Sequence, residues 1–581
     1  MHCKMAKANF QYILKSCCYT LLVFVITSFN PSLSLKKQQR DDLIIKSIDP
    51  LVKVTPDFLP RSANETTTYA YARNEEVHIQ LVVWNKPILS AFTINTKFAG
   101  IAPEVTYQKV GYVSIKQQAD KIDNKVQSST NQFPDPLFDT DNKAGIAANS
   151  VTSFWINFKI PTAAQSGIYP VTLTCTANIY GKAKRITKKI IISISKAVAD
   201  IKNYPWLANW IIVDMPTLGP TTKKLRYLNN NIDVIPFNNN YWKKITNITS
   251  FMSVTGQNVY MMSPQRLAKY SYNGNALSID FSRLDSMLDC YLKYKLIGRI
   301  DGWQICSRPG DFQSNYVIHY IKKDSLGRAV FANGQPEDAD VQAFYKIYLP
   351  ALIQHLKSKN LYDKYYQHIA DEPIDANADS YIRIIKMIKN IVPDLKTLEP
   401  IQTTKVVPYL TVPIPQLDYL YKNSIYFENL VKQGKEVWFY TAFLPQDTYA
   451  NRFIEQHAIM HRLLFWILAK YNMKGTLNWG FNYWDVPDVY NGLGRKSGQF
   501  ILPAGDSWLV YPKPDGLITS IRMKTITDGM NDYALLQQLK QRNPELEKSL
   551  VDKVVINYKT YVTDIQAFRK VRTELLKALN N

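Results

Sequence analysis

Between residues 41 and 199 the chain alternates apolar and polar positions with a period of two. Val77-His78-Ile79-Gln80-Leu81-Val82-Val83-Trp84 is one such run, Phe154 to Ile160 another, and Lys188 to Ile194 a third. Turn residues such as Gln165-Ser166-Gly167 separate them. Half-buried strands at this spacing, with no helical period between them, predict a β-sandwich over 41–199. A polar interruption from Gln117 to Ser150 reads as an ordered excursion over a neighbouring domain. From about Asn203 the period changes. Short apolar runs at Leu207–Asp214, Asn258–Met262, Gly298–Cys306, Tyr365–Asp371, Glu436–Ala442 and Lys474–Gly480 alternate with helical patterns at Phe281–Leu296, Val341–Lys359, Asp379–Ile391 and Ala450–Tyr471. This predicts a (β/α)8-type (TIM) barrel over 203–497, with Leu395 to Tyr426 ambiguous. A doubly wound open sheet is the alternative, though no glycine-rich phosphate loop marks one. Residues 498–581 begin with strand-like pieces around Ser507–Tyr511. Amphipathic helices near Lys524–Arg542 and Pro544–Leu579 follow, predicting an extension packed on the barrel.

Length agrees with this partition, because 581 residues exceed one ordinary core. The N-terminus adds a segment of another kind. Lys4, Lys7 and Lys15 precede an apolar stretch from Cys18 to Phe29, which is short for a membrane span, and Ser32 and Ser34 offer a cleavage site. Residues 1–35 are therefore expected to be a signal peptide. The mature protein is then secreted or periplasmic, with cell-surface association left open and no stable membrane span. The net charge of +22 comes from lysines interspersed with acids. No nucleic-acid-binding module accompanies it, so no nucleic-acid partner is expected. Cys3, Cys17 and Cys18 leave with the signal. The remaining Cys175, Cys290 and Cys306 are an odd set. They read as three buried thiols or as one Cys290–Cys306 bridge. His457 and His461 have the spacing of a zinc pair, but Ala458 stands where a metalloprotease needs Glu. No metal and no cofactor are expected.

The chemistry concentrates in Gln367-His368-Ile369-Ala370-Asp371-Glu372-Pro373. An apolar run ends there on two acids, and Pro373 stops further pairing. At the C-terminal end of a barrel strand, that is where active sites form. Adjacent carboxyls discourage each other's ionisation, so one can remain a proton donor while the other stays charged. Other strand ends carry aromatic and hydrogen-bonding residues: Trp303 and Arg308, then Trp438 and Tyr440, then Trp479, Asn482 and Trp484. With 37 Tyr and 11 Trp in the chain, an aromatic cage around two acids suits a sugar, whose C–H face stacks on a ring.

These segments, in this order, resemble glycoside hydrolase family 123. The resemblance is carried by His368 to Pro373, Val437 to Tyr440, Gly475 to Trp484, Gly505 to Pro512, Ser520-Ile521-Arg522 and Ile526 to Tyr533. Tyr71 to Glu75 and Pro134 to Phe138 extend it into the N-terminal sandwich. It implies an exo-acting β-N-acetylgalactosaminidase that retains configuration by substrate-assisted catalysis. Asp371 would orient the 2-acetamido group and stabilise an oxazolinium, with Glu372 as general acid and then base. Tyr440 would bond the acetamido carbonyl. Trp438, Trp479 and Trp484 would wall the pocket, while Trp303, Asn482, Arg308 and His368 are further candidate ligands. His368 is also readable as a core histidine. The implied partners are terminal β-linked N-acetylgalactosamine glycans on a glycolipid, glycoprotein or polysaccharide. Arg522, Asp528 and Asp532 read as an ion network tying the last helices to the barrel. Two rivals stay open: a degenerate glycan-binding protein, and a glycosidase with its own carboxylate nucleophile, for which Asp485 and Asp488 are the candidates.

Overall fold

The computed structural model describes residues 42–100, 103–116, 121–211, 236–484, 486, 488–491, 496–497, 500–514 and 516–580. The expected signal peptide and Asp485 lie outside the described residues. Residues 42–581 form one compact unit.

The N-terminal region is sheet-rich, as the period of two predicts. In strand Gly167–Ile179, Val171, Leu173, Cys175, Ala177 and Ile179 are buried and alternate with more exposed residues. Together with Ile190, Ile192 and Ile194 they fill one core cluster. A five-stranded sheet supplies this side, in the order Thr68–Arg73, Lys182–Val198, Gly167–Ile179, Leu89–Phe98, Lys143–Ile146. The facing sheet runs Leu43–Ile48, Glu76–Asn85, Ser150–Lys159, Thr106–Ser114, Gln132–Thr140, Gly516–Ser520, Tyr511–Lys513. Strand Glu76–Asn85 is buried on both faces. Its odd-numbered residues Val77, Ile79, Leu81 and Val83 pack into that same core cluster. Gln80 faces the other way, where its carbonyl oxygen accepts from Trp155 Nε1 (3.1 Å) and Ser153 Oγ (3.0 Å).

The last two strands of that sheet come from the C-terminal extension, through Thr519↔Leu137 and Ser520↔Pro136. The extension thus completes the N-terminal sheet besides packing on the central region. The expected long helix Pro544–Leu579 is two helices, Pro544–Asp552 and Ile565–Ala578, with the small hairpin Val555–Asn557/Thr560–Tyr561 between them. The excursion after Gln117 reaches the central region by isolated bridges Ile122↔Asp447 and Lys125↔Gln456.

The central region alternates strands and helices. Six parallel strands lie in the order Tyr365–Tyr366, Arg299–Asp301, Val259–Met261, Trp206–Asn209, Gly475–Asn478, Phe439–Tyr440. The ambiguous stretch supplies a further parallel pair, Leu398–Ile401 with Val412–Pro415. Parallel bridges join this pair to both edges of the six: Gln367↔Thr397 on one side and Gln416↔Tyr440 on the other. Ala208, Val259, Tyr366, Leu398, Val412, Ile414, Tyr440 and Leu477 form an inner cluster separate from the outer core. Helices Asn239–Met252, Ser282–Leu292, Ala339–Ser358, Ala378–Ile391 and Ala458–Lys470 contribute their buried residues to that outer core. The strand expected over Gly298–Cys306 stops at Asp301. Trp303 takes a left-handed φ of 53°, and Cys306–Ser307 joins a separate antiparallel sheet with Val317–Lys323 and Ala329–Gly334. Cys175, Cys290 and Cys306 are buried free thiols.

Candidate active site

Strand Tyr365–Tyr366 is short because a side chain replaces its neighbour's backbone. Glu399, fully buried, accepts from the amides of Ile369 (2.9 Å) and Ala370 (3.1 Å) and from the Tyr381 hydroxyl (2.9 Å). Gln367 Nε2 donates to the Trp303 carbonyl at 2.7 Å. The chain leaves the ladder there, and Glu372 adopts a φ of 47°. A left-handed carboxylate residue is costly unless its surroundings hold it. Arg308 does so. Its Nη2 donates to the carbonyls of Asp371 (2.5 Å) and Glu372 (2.7 Å) and to the Tyr316 hydroxyl (2.9 Å). The Tyr316 hydroxyl donates in turn to the Asp371 carbonyl at 2.7 Å. Arg308 therefore clamps the backbone of the acid pair rather than standing free as a hydroxyl ligand.

The two carboxyls differ in surroundings. Tyr440 OH donates to Glu372 Oε1 and accepts from Gln402 Nε2 (3.0 Å). Burial first, and the charge of Asp371 second, push the Glu372 carboxyl up to about 7 against the bonds from Tyr440 and Gln402 and the charge of Arg308. Asp371 is also raised by burial and by Asp301, but the cations His368 and Arg308 oppose the rise. His368 Nε2 lies 3.0 Å from Glu399 and Nδ1 3.6 Å from Asp301, with its ring 5.3 Å from that of Trp210. Burial disfavours its charge, yet the charge of Glu399 and the bonds to both acids raise its pKa well above the ordinary imidazole range. His368 is fully buried, as its reading as a core histidine has it and not as a hydroxyl ligand, and its neighbours in that core are the buried acids Glu399 and Asp301.

The remaining candidates separate into two sets. Trp303 and Trp479 stay half-buried on the ends of their strands. Trp303 Nε1 is buried without a hydrogen-bond partner among the described residues. Trp479 Nε1 donates to Asp506 (3.0 Å), and its ring tilts against Tyr483 at 5.2 Å. Asn482 is fully buried and bridged to Trp508. Trp438 and Trp484 do not join them. Trp438 and Tyr440 do share the inner face, but Trp438 lies two residues deeper, about 7 Å along a strand. It bonds Glu436 (2.7 Å) beside Arg299, at the N-terminal end of the parallel strands. Trp484 belongs to the outer core, with Nε1 on the Val510 carbonyl (2.8 Å). Gly480 turns the chain that way: a Cβ there would sit 2.4 Å from the Ser507 carbonyl oxygen. Asp488 caps a turn, accepting from Tyr490 N (2.8 Å) and Asn491 Nδ2 (2.7 Å).

Gln402, Glu399, Asp301, Trp210 and Tyr316 are site residues that sequence reasoning missed. Glu399 carried a signal, a charge inside the apolar run Leu398-Glu399-Pro400-Ile401. Buried charges of that kind need partners, and His368 is one. His461, by contrast, is buried on its helix with Nδ1 on the Asn451 carbonyl (2.9 Å). Among the described residues no cluster of His, Cys, Asp or Glu is arranged to hold a metal.

A half-buried carboxyl held near neutrality, beside a second carboxyl and at the end of parallel strands, equips a protein for acid–base catalysis. The family models narrow that class. Residues 221–539 match the glycoside hydrolase 123 catalytic domain, and residues 52–177 match the glycoside hydrolase 123 N-terminal domain. The chain belongs to glycoside hydrolase family 123. Among solved structures, a family 123 glycoside hydrolase from Clostridium perfringens, studied for glycolipid glycan hydrolysis, aligns with a TM-score of 0.69 and 16% identity. That alignment covers 93% of this chain and 97% of that one. A GH2 β-galacturonidase from Eisenbergiella tayi aligns at a TM-score of only 0.28 with 9% identity, over 78% of this chain and 69% of its own. No curated protein matches the chain.

Proposed function

We propose that this glycosidase is an exo-acting β-N-acetylgalactosaminidase, working with retention through the substrate's own acetamido group. The observation that carries this is the pairing of Asp371 with a Glu372 carboxyl lifted to about 7. Such a group holds its proton at working pH and can hand it to the departing glycosidic oxygen. Asp371, with the cations His368 and Arg308 nearby, is the better placed of the two to stay charged. It would accept the acetamido N–H and face the positive oxazolinium. Because the acetamido oxygen attacks within its own molecule, little translational entropy is lost at that step. Tyr440 already bonds Glu372. Turning its O–H, still protonated, to the acetamido oxygen would hold that oxygen in line with the anomeric carbon and free Glu372 to hold its own proton. Trp479 and the unpartnered indole N–H of Trp303 supply a wall and a donor for the sugar.

The eight parallel strands, bridged at both junctions and filled by one inner cluster, support a (β/α) barrel over 203–497. Around it we place the sandwich over 41–199 and the extension over 498–581. A signal peptide over 1–35 and a secreted or periplasmic location complete the reading. The substrate would carry terminal β-linked N-acetylgalactosamine, and the action of the Clostridium perfringens relative on glycolipid glycans favours a glycolipid as its source.

The test compares 4-nitrophenyl β-N-acetylgalactosaminide with its gluco epimer, using wild type, Glu372→Gln and Asp371→Asn. Galacto-selective turnover is expected, with kcat reduced about 10²–10⁴-fold in each variant and inhibition by a thiazoline mimic of the oxazoline. Turnover that is indifferent to the thiazoline, or that survives Asp371→Asn, would exclude the substrate-assisted mechanism.

A further inference from the structure

We infer that Glu399 is a positioning residue: acting through the His368 imidazolium, it decides that Asp371 rather than Glu372 carries the negative charge of the pair. The inference rests on the glycosidase reading above and deepens it. The charge states follow from which groups can donate. The two oxygens of Glu399 face four donors. Oε1 takes the Ala370 amide (3.1 Å) and His368 Nε2 (3.0 Å), and Oε2 takes the Ile369 amide and the Tyr381 hydroxyl (both 2.9 Å). A carboxylate accepts all four, whereas a carboxylic acid would have to turn one of these bonds round. Burial pushes the Glu399 carboxyl up, and His368, Ile369 and Tyr381 oppose it. His368 meets acceptors at both ring nitrogens. Nε2 also donates to the Ala370 carbonyl at 3.2 Å, and Nδ1 faces Asp301 Oδ1 at 3.6 Å. Asp301 in turn accepts from Trp303 N (3.2 Å) and Trp210 Nε1 (3.0 Å). An imidazole between such acceptors carries two protons and a positive charge.

This cation reaches Asp371 through one peptide unit. The carbonyl that His368 holds belongs to the Ala370–Asp371 peptide, and the two amides that Glu399 holds belong to the two units before it. Burial raises Asp371, and the charge of His368 is the strongest that opposes the rise, followed by that of Arg308; Asp301 adds to it. Glu372 instead meets the neutral Tyr440 hydroxyl. The other titratable groups packed around this cluster are Arg308, which donates to the backbone of both acids, the buried Cys306 thiol, and Tyr316, Tyr365, Tyr381 and Tyr440, whose phenols burial keeps protonated. Without the charge of Glu399, His368 keeps only the longer contact to Asp301, and burial then favours the neutral ring. Two effects of opposite sign separate here. Direct loss of a nearby anion would help Asp371 to ionise. Loss of the imidazolium would hinder it, and this is the outcome that action through His368 requires.

The experiment measures kcat/KM against pH on 4-nitrophenyl β-N-acetylgalactosaminide. Its leaving group needs little protonation, so the acidic limb reports Asp371. Wild type, Glu399→Gln, His368→Gln and the double variant are compared, with thermal melts to confirm that they fold. The acidic limb is expected to move up by about one pH unit in each single variant. It should move no further in the double variant than in His368→Gln, because Glu399 works through that ring. A limb that stays in place while kcat/KM falls evenly at every pH makes Glu399 a structural support and overturns the inference. A limb that moves down overturns it as well, because Glu399 then acts on Asp371 directly. A second measurement needs neither turnover nor a change at Glu399. In protein labelled with 15N-histidine, the His368 signal, identified by its loss in His368→Gln, is expected to show both ring nitrogens protonated at pH 7. A wild type without turnover whose His368 is an imidazolium defeats the glycosidase reading and the inference with it. Turnover with a neutral His368 defeats the inference alone.

Discussion

Two regions of this molecule bury carboxylates beside arginines, with opposite results. Where the last helices meet the N-terminal sheets, Asp532 accepts from Arg462 Nε (2.5 Å) and Nη2 (2.8 Å), from Arg572 Nε (2.8 Å) and from Trp466 Nε1 (3.0 Å). Asp528 accepts from Arg462 (3.1 Å) and lies 3.6 Å from His78, while Arg522 bonds Asp135. Burial raises the pKa of both Asp528 and Asp532, but the guanidinium charges override it and hold both carboxyls below the usual range. At the acid pair Arg308 is also at hand, but its Nη2 donates to the backbone carbonyls of Asp371 and Glu372. Burial is the largest influence on both carboxyls and outweighs the opposing charges and bonds, so both rise. Nearness of an arginine therefore does not decide the protonation state; the oxygen it addresses does. The ion network also reaches further than expected, because Asp135 and His78 belong to the N-terminal sheets and the Glu75 partner of Arg572 to the turn before strand Glu76–Asn85.

The largest expected effect breaks the paired side. Asp532→Asn leaves Arg462 and Arg572 buried with their main counter-charge gone, a loss of about 3–5 kcal/mol. Urea unfolding measures it, and the protein that remains folded should turn over substrate at the wild-type rate. A loss under 1 kcal/mol would mean that the network is not the tie it is taken for.

A second test uses the sign of pH dependence. The folded pKa of Glu372 lies above its unfolded value, so between about 4.5 and about 7 the folded state binds more protons. Stability then declines as pH rises through that window, and the full cost stands above it. Glu372→Gln removes this term. It should match wild type at pH 4 and exceed it at pH 8 by about 1–2 kcal/mol, after discounting for solvent screening of a half-buried group. Asp528 works the other way. Its depressed pKa contributes stability above the ordinary aspartate range, lost as pH falls below it. Melts of wild type and Glu372→Gln across pH 4 to 8 check the first sign. A variant less stable than wild type at pH 8 would refute it.

Some of this contrast was legible in the sequence and some was not. The alternation in Val77–Trp84, Phe154–Ile160 and Lys188–Ile194 is local, and it marked strands of the N-terminal sheets directly. Asp371 and Glu372 were legible because Pro373 and an apolar run bracket them. The alternation that put Trp438 and Tyr440 on one face was also right. It says nothing of depth along the strand, so Trp438 was expected at the mouth and lies below it. Trp484 depended on Gly480 folding against Ser507, a contact between segments that no spacing reveals. Leu398–Ile401 and Val412–Pro415 were obscured by three prolines, which argue against strands. With those strands hidden, Glu399 and Gln402 could not be assigned to the site.

The smallest effect addresses a neutral donor on the acid pair. The Tyr440 hydroxyl donates to Glu372, and that bond favours the charged carboxylate, so it lowers a pKa that burial has raised. Tyr440→Phe removes the bond and keeps the ring. The pKa of Glu372 should then climb above about 7, and the alkaline limb of the kcat/KM profile, where the proton donor is lost, should move to higher pH by less than about one unit. kcat should fall about tenfold, because the acetamido oxygen loses its donor. A limb that moves down in pH would show that Tyr440 supports the protonated carboxyl. The acid pair would then share the logic of the ion network, each acid held by a partner that addresses it directly.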